Sequence, residues 1–346
     1  MSCGVWVRTA LALAVSGLVV AVGSVGAQEP KTIGSIERLD PAFDQLVPAD
    51  GRLEVLASGF EWSEGPVWVA KTQTLLFSDI PRNEIVAWNA DRGCYVFRKS
   101  SGYSGSAKFE GPEPGTNGLA LEPQGRLIMC CHGDRAIRRL EADGTVTTLA
   151  DRFQGRRFNS PNDLVFRANG DLYFTDPPYG LPGGLEGPHA ELSWCGVYRR
   201  TPDGTLTLLN QSMTRPNGIG FAPDGKTLYV AQSDPEAALW MAFPVHDDGT
   251  LGAGRVLYDA TRFVGQRPGL PDGLAIDVLG NLWATGPGGV LVLSPAGRLL
   301  GRLDTGQATA NCTFGDDGKT LYITADMHLC RIRTLVSGWS VVEGPK

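Results

Sequence analysis

The chain has 346 residues, a formal net charge of −6, 45 glycines and 23 prolines. Gly and Pro make up about a fifth of it, against about an eighth in average proteins, and they follow no G-X-Y period, which excludes collagen and low-complexity disorder. A negative chain without a Lys/Arg-rich run has no basic face for phosphates, so nucleic acid is excluded as the main partner. The excess of Gly and Pro indicates many tight turns.

The N-terminus has the pattern of a secretory signal peptide. Within residues 1–27, Arg8 is the only charge, residues 10–22 are small or apolar, and Val-Gly-Ala at 25–27 is a small-residue cleavage site. A membrane anchor is the alternative, but it needs about 20 apolar residues, and Ser and Gly interrupt this segment. We expect cleavage after Ala27, an N-terminal extension over residues 28–50, and an exported protein, periplasmic or secreted, that is not held in a membrane.

Six cysteines follow the signal: Cys94, Cys130, Cys131, Cys195, Cys312 and Cys330. Export permits disulfides, but this number is too sparse for a disulfide scaffold, and no CxxC or Cys–His metal spacing is present. We expect mostly buried thiols, with one or more bridges as the alternative.

One phrase recurs along the chain after residue 60. A polar residue opens it, a short apolar run and a Pro-x-Gly or Asn-Gly turn follow, and a second run is rich in Leu, Tyr, Phe and Trp. A third run and a fourth, separated by an Asp-Gly turn, complete most units, and strands of antiparallel sheet show this spacing. In chain order the copies open at Glu64, Asn117, Asn162, Asn217, Asp272 and, more weakly, Ala310.

Six such units predict an all-β fold, a six-bladed β-propeller with four antiparallel strands per blade over residues 51–346. The sixth unit lacks a fourth strand after residues 331–336. Residues 52–57 precede the first blade, so we expect them to complete the last sheet and close the ring. A parallel β-helix is the alternative, but it needs shorter and more uniform coils.

The residues that open the phrases lie at the start of each innermost strand, and a closed ring turns them toward the central channel. Five of the six carry oxygen donors, with no His or Cys among them. Ca²⁺ takes six to eight oxygen ligands in loose geometry, whereas Zn²⁺ prefers His or Cys and Mg²⁺ a stricter octahedron. The pattern predicts a divalent cation site, with Ca²⁺ ahead of Zn²⁺, Mg²⁺ and Mn²⁺. Simple turn formation by Asn-Gly and Asp-Gly is the alternative.

Five short motifs accompany these positions: Glu64-Gly-Pro-Val-Trp68, Arg157-Phe-Asn-Ser-Pro-Asn-Asp163, Tyr173-Phe-Thr-Asp-Pro-Pro-Tyr-Gly180, Arg215-Pro-Asn-Gly218 and Pro271-Asp-Gly273. Over about residues 50–335 they resemble the gluconolactonase, regucalcin (senescence marker protein) and lactonase-like family, above all its bacterial gluconolactonase-like branch. The resemblance implies a six-bladed propeller with a divalent metal, often Ca²⁺, in its channel, and hydrolysis of a lactone, above all a sugar lactone.

The same resemblance implies which residues act. Metal ligands fall on Glu64, Asn162, Asn217 and Asp272, with Asn162 acting through water, and Asn117 faces substrate or water. Asp272 is implied as the general base. A cation lowers the pKa of a carboxylate and weakens it as a base, so His132, with an unperturbed pKa near 6.5, is the alternative.

Other polar residues of the same edge are candidate substrate contacts: Asn117, His132, Asn159, Asp176 and Arg215. Two long Gly/Pro-rich connections, residues 99–116 and 177–195, lie there too, and loops of this kind usually set substrate choice. A carbohydrate- or protein-binding propeller with a structural metal, and an arylesterase or phosphotriesterase-type hydrolase, stay open as alternatives. We expect a monomer or a small homo-oligomer.

Overall fold

The computed structural model describes Met1 and residues 30–340, so the expected signal peptide lies, apart from Met1, outside the described residues. Within residues 30–340 no helix is long and apolar enough to cross a membrane. Helix in this part of the chain is limited to short 3-10 segments: Pro41–Gln45, Ala70–Thr72, Gly184–Glu186 and Thr261–Phe263.

Six sheets stand around a central axis, and their innermost strands contact one another. Two strands precede the first blade, β1 (Ser35–Arg38) and β2 (Glu54–Ser58). Blade one contains β3 (Ser63–Val69), β4 (Thr74–Asp79), β5 (Glu84–Asn89) and β6 (Gly93–Lys99). Blade two contains β7 (Thr116–Leu121), β8 (Leu127–Cys131), β9 (Ala136–Leu140) and β10 (Val146–Ala150). A small hairpin follows, β11 (Arg152–Phe153) and β12 (Arg156–Arg157).

The remaining blades have the same order from the axis outward. Blade three contains β13 (Leu164–Phe166), β14 (Leu172–Asp176), β15 (Gly196–Arg200) and β16 (Leu206–Asn210). Blade four contains β17 (Pro216–Phe221), β18 (Thr227–Asp234), β19 (Ala237–Pro244) and β20 (Arg255–Asp259). Blade five contains β21 (Leu274–Ile276), β22 (Leu282–Gly286), β23 (Gly289–Leu293) and β24 (Leu299–Asp304). Blade six contains β25 (Thr309–Gly315), β26 (Thr320–Ala325) and β27 (His328–Arg333). The predicted six-bladed propeller is confirmed.

The N-terminal strand β2 closes the ring. It pairs antiparallel with β27, with Glu54 opposite Arg331 and Ser58 opposite His328. The expected closure by residues 52–57 is therefore confirmed. A second closure was not predicted: β1 pairs with β24 and gives blade five a fifth strand.

The extension also supplies core residues between blades five and six. Phe43, Leu46 and Val47 are buried in the same apolar cluster as Trp283. Burial of such side chains stabilises the fold by about 1.5–3 kcal/mol each. Residues ahead of the predicted propeller boundary are thus part of its core.

Serine and threonine hydroxyls join neighbouring blades close to the axis. They lie on the second strand of one blade and donate to a backbone oxygen of the innermost strand of the next: Ser78 to Asn117 at 2.8 Å, Thr175 to Asn217 at 2.8 Å and Thr285 to Ala310 at 2.7 Å. The accepting residues are those that open the repeated phrase. These hydrogen bonds therefore fix the depth at which the predicted ligands stand in the channel.

Glycine follows the opening residue in four of the six copies because the blades approach closely there. A Cβ on Gly65 would lie 2.1 Å from Asn117 O, and one on Gly218 would lie 2.2 Å from Asp272 O. Asn117 and Asn217 stand inside strands rather than in turns, so turn formation does not explain their Asn-Gly sequences. The glycines are needed for the inter-blade contact.

All six cysteines of residues 30–340 are free thiols. Five of them are buried, as expected, and Cys94 is exposed.

Candidate active site

Three of the described residues that open the repeated phrase have buried side-chain oxygens without partners. Asn117 Oδ1, Asn162 Oδ1 and Asp272 Oδ1 are all buried, and none has a hydrogen-bond partner among the described residues. Buried oxygens without a donor are costly and rare in native proteins. Three of them in one layer form a set that a hard cation would satisfy, so the donor set fits the implied divalent metal.

Two carboxylates in this layer touch each other. Glu64, only 1% exposed, contacts the side chain of Asp272. Burial raises the pKa of both groups, and the negative charge of Glu64 adds to the rise at Asp272. Backbone N–H donation from Gly65 to Glu64 Oε2, at 2.6 Å, opposes the rise at Glu64. No Lys, Arg or His of residues 30–340 forms an ion pair with either carboxylate, and such a pair of carboxylates is an environment in which a cation binds favourably.

Asn217 is oriented by its neighbour in the same blade. Its Nδ2 donates to Ser233 Oγ at 2.9 Å, and Ser233 Oγ donates in turn to the backbone oxygen of Pro271, next to Asp272. Because the amide nitrogen is engaged by Ser233, the amide oxygen is the atom of Asn217 that is left to bind a cation. Ser233 thus links two predicted ligands.

A second polar layer lies one residue deeper and was not predicted. Asn311 Nδ2 donates to Glu64 Oε2 at 3.2 Å, while Asn311 Oδ1 accepts from the backbone of Cys312 at 2.8 Å. Asp163 accepts from Leu164 N at 2.8 Å, and burial raises its pKa to about 6. Asp163 and Asn311 occupy the two positions at which the repeat has no glycine, which is the sequence signal that marks them.

Beyond this layer the channel continues as a cavity of about 220 Å³. Its far end is covered by residues 338–340, and Trp339 N donates to Ile276 O at 2.7 Å. The cation layer is therefore approached from the opposite mouth, where the two long connections lie.

The His132 side chain is enclosed within the protein. It is completely buried, and its Nδ1 lies 2.9 Å from Glu113 Oε2, close but without aligned hydrogen-bond geometry. Gly180 packs against it so closely that a Cβ there would lie 2.4 Å from His132 Cβ. Glu113 and residue 180 cover the ring, and the expectation that His132 contacts substrate stays a prediction.

Asn159 and Asp176 were predicted as substrate contacts but lie in the wall of the site. The Asp176 carboxylate accepts from Asn159 N at 2.9 Å and Ser160 N at 2.8 Å, and burial raises its pKa to about 7. Asn159 Nδ2 donates to backbone oxygens of Asp176 and Trp194. Both side chains are wholly buried and hold the segment that leads to Asn162, while Asn159 Oδ1 has no hydrogen-bond partner among the described residues. Their contact with substrate stays a prediction.

Blade one repeats this arrangement. Asp79, at the end of β4, accepts from Glu61 N at 3.1 Å and Trp62 N at 3.2 Å, just ahead of Glu64. A carboxylate at the end of a second strand thus fixes the approach to two of the predicted ligands.

Arg215 is exposed on the edge of the mouth, as predicted. Close to it, Tyr179 has a buried hydroxyl without a hydrogen-bond partner among the described residues. Burial raises the pKa of Tyr179, the neighbouring Ser233 hydroxyl and the charge of Arg215 oppose the rise, and the charge of Asp272 adds to it. Tyr179 is a site residue that the sequence interpretation missed, although it stands in the Asp-Pro-Pro-Tyr-Gly motif.

Comparison with known proteins agrees with this geometry. The family model described as SMP-30/Gluconolactonase/LRE-like region matches residues 62–326. A gluconolactonase of Zymomonas mobilis is 40% identical over 316 residues, covering 89% of this chain and 88% of its own. The structure of a gluconolactonase from Xanthomonas campestris superimposes with a TM-score of 0.76 at 34% identity, covering 88% of this chain and 96% of that one.

A more distant structure shares the fold. The calcium-binding protein regucalcin of Agrobacterium tumefaciens has a TM-score of 0.66 at 20% identity, over 84% of this chain and 95% of that one. With the family model matching most of residues 30–340 and the Zymomonas relative aligned nearly end to end, the chain belongs to the SMP-30/gluconolactonase family.

Proposed function

We propose that this protein is a metal-dependent hydrolase that opens sugar lactones, a carboxylic-ester hydrolase of the gluconolactonase type. The observation that carries the proposal is the layer of buried, unpartnered oxygens of Asn117, Asn162 and Asp272 beside Glu64. The gluconolactonases of Zymomonas and Xanthomonas, aligned over most of their length, support the same reaction class. Neither a binding propeller nor an arylesterase or phosphotriesterase is favoured by these comparisons.

The cation proposed for this layer is Ca²⁺, held by Glu64, Asn217 and Asp272, with Asn162 acting through water. All these donors are oxygens, and neutral carboxamides suit Ca²⁺ better than Zn²⁺. When bound, the cation polarises the lactone carbonyl and stabilises negative charge on its oxygen. Ser233 and Asn311 keep the ligand side chains oriented before substrate arrives.

Asp272 is the proposed general base. Its buried Oδ1 has no hydrogen-bond partner among the described residues, so it is the atom placed to accept the proton of the attacking water. The water oxygen bonds to the carbonyl carbon, the bond from that carbon to the ring oxygen breaks, and the ring oxygen takes up a proton. His132, the alternative base, is not proposed for this role, because Glu113 and Gly180 enclose its ring.

The site of action is proposed to be the periplasm or the exterior, after cleavage behind Ala27. The composition of residues 1–27 supports this. N-terminal sequencing of the protein recovered from the exported fraction would give Gln28 as the first residue; a chain retained with its first 27 residues would contradict it.

A hydrolysis screen tests the function. Sugar lactones, aryl esters and organophosphates are offered to the protein with Ca²⁺, after chelation, and after Ca²⁺ is restored. We expect sugar lactones to be opened fastest, with loss of activity on chelation and recovery on readdition. Preference for aryl esters or organophosphates, or activity that chelation leaves intact, would overturn the proposal.

A further inference from the structure

Glu113 is a charged residue of the mouth that ring opening, as described, does not use. It stands in the connection before β7, where Pro114 O accepts from Gly133 N at 3.3 Å and Gly115 N donates to Ile80 O at 3.0 Å. The backbone next to Glu113 is thus fastened to blades one and two, a few residues before Asn117. Its position on the rim is fixed by these bonds.

The side chain of Glu113 stays partly open while its partner is enclosed. Glu113 is 27% exposed and His132 is 0% exposed, with 2.9 Å between Oε2 and Nδ1. Among the close carboxylate contacts of residues 30–340, the His132 ring is the only basic group within 4.0 Å of the Glu113 carboxylate. The imidazole therefore packs against the buried side of the carboxylate, and the accessible part of the carboxylate faces away from His132.

The negative charge of Glu113 acts on Asp272. It is one of the negative charges that, after burial and the charges of Glu64 and Asp163, raise the pKa of Asp272. No Lys or Arg neutralises it within the described structure. A carboxylate held this way accepts hydrogen bonds and donates none, so the ligand that fits it carries hydroxyl groups.

We propose that Glu113 is the residue that selects polyhydroxylated lactones, its carboxylate accepting hydrogen bonds from ring or side-chain hydroxyls of the substrate, and that His132 is a positioning residue that holds it. This inference rests on the proposed function and extends it to substrate choice. It also explains why both nitrogens of the buried His132 ring lack aligned hydrogen bonds: the ring supports the Glu113 carboxylate and does not touch substrate.

The experiment compares two lactones with the same ring in the Ca²⁺-loaded full-length protein. D-Glucono-1,5-lactone carries hydroxyls, and δ-valerolactone carries none; the latter is followed both as a substrate and as a competitive inhibitor. Glu113→Gln and Glu113→Ala are expected to raise KM for gluconolactone about 10-fold to 100-fold, the loss of a charged hydrogen bond. The inhibition constant or KM of valerolactone should change far less, so selectivity falls.

A matched control lies in the same connection. Glu110 is 77% exposed and pairs with His189 at 3.4 Å, across to the other long connection. Glu110→Gln removes the same charge from the same loop and should leave the selectivity unchanged. His132→Asn should shift selectivity in the direction of Glu113→Ala but less, and the double variant should be no worse than Glu113→Ala alone.

The outcomes separate the two proposals. If the wild type opens no lactone, the proposed function fails. If the wild type is active but both lactones weaken equally in Glu113→Ala, with unchanged thermal unfolding, the residue acts in catalysis and not in selection, which overturns the inference. Unchanged selectivity in Glu113→Ala overturns it as well.

Discussion

Asn311 of blade six donates its amide to Glu64 of blade one at 3.2 Å, so the last innermost strand orients a carboxylate on the first. A residue that orients a ligand usually contributes 10-fold to 100-fold to metal affinity. Asn311→Leu is therefore expected to weaken Ca²⁺ binding by about this factor, as measured by titration calorimetry on the intact protein.

A comparable pair away from the channel gives the control. Asn281 Nδ2 donates to Asp277 Oδ2 at 2.8 Å in blade five, and Asp277 follows β21 at the end opposite to Asp272. Asn281→Leu should lower the melting temperature but leave Ca²⁺ affinity unchanged. Equal Ca²⁺ affinities for Asn311→Leu and the wild type would remove Asn311 from the site.

Asp272→Asn separates proton transfer from metal binding. The variant keeps an oxygen for the cation but loses the proton acceptor, so kcat should fall about 100-fold or more. Metal affinity should fall less than in Asp272→Ala. Metal content must be measured in each sample, since a lost ion would imitate a lost base. Undiminished activity of a metal-loaded Asp272→Asn protein would exclude Asp272 as the base.

The N-terminal extension should be needed for stability. Phe43 is completely buried between blades five and six, so Phe43→Ala should lower the free energy of unfolding by about 3–5 kcal/mol. Leu39 lies in the same extension but is 54% exposed, and Leu39→Ala should change stability by less than about 0.5 kcal/mol. Urea unfolding followed by tryptophan fluorescence measures both. Similar midpoints for the two variants would contradict the packing described for the extension.

Glu37 fastens β1 to the propeller. Its carboxylate lies 2.6 Å from Arg302 Nη1 and 2.7 Å from Arg267 Nη1, and Arg302 is only 2% exposed. Removing the carboxylate leaves a buried guanidinium poorly paired, so Glu37→Gln should cost about 1–3 kcal/mol near neutral pH.

The cost should depend on pH. Burial raises the pKa of Glu37, but the two arginines outweigh it and leave the pKa below the ordinary 4.5. A carboxylate with a lowered folded-state pKa contributes stability above its unfolded value and loses it as the pH falls through the folded value. The difference in unfolding free energy between wild type and Glu37→Gln should therefore shrink below about pH 4.5. A difference that is constant with pH would show that the pair does not titrate.

The repeated phrase was enough to predict the propeller, because each copy encodes the same strand, turn and strand. Glu64 and Asp272 were predicted as ligands because both open a copy of the phrase. Asn311 escaped the same reasoning, since the sixth copy has Ala310 in that register and the polar residue stands one place later. The prediction compared only the residue that opens each copy of the phrase. Asn311 stands one residue after that position, so this comparison could not reveal it.

A sequence pattern does not show how side chains are stacked on one another, as the positions of His132, Asp176 and Glu113 illustrate. All three belong to the edge that the topology predicts, but the sequence does not say which side chain lies on top of another. Glu113 covers His132, and the backbone amides of residues 159 and 160 occupy both oxygens of Asp176. Such layering depends on how two long connections fold back over the blades. Strand β1 was missed for a different reason: four residues carry too little alternation to stand out.

Ring closure by β2 ties together parts of the chain that are made at very different times. Arg331 Nε donates to Glu54 Oε2 at 2.8 Å across 277 residues of sequence. At about 5–20 residues per second, a ribosome needs about 15–55 seconds to pass from one partner to the other. During that interval β2 has no strand beside it, and blade six cannot form its outer edge. Strand β2 is thus made early but paired late, because its partner β27 is the last strand of blade six.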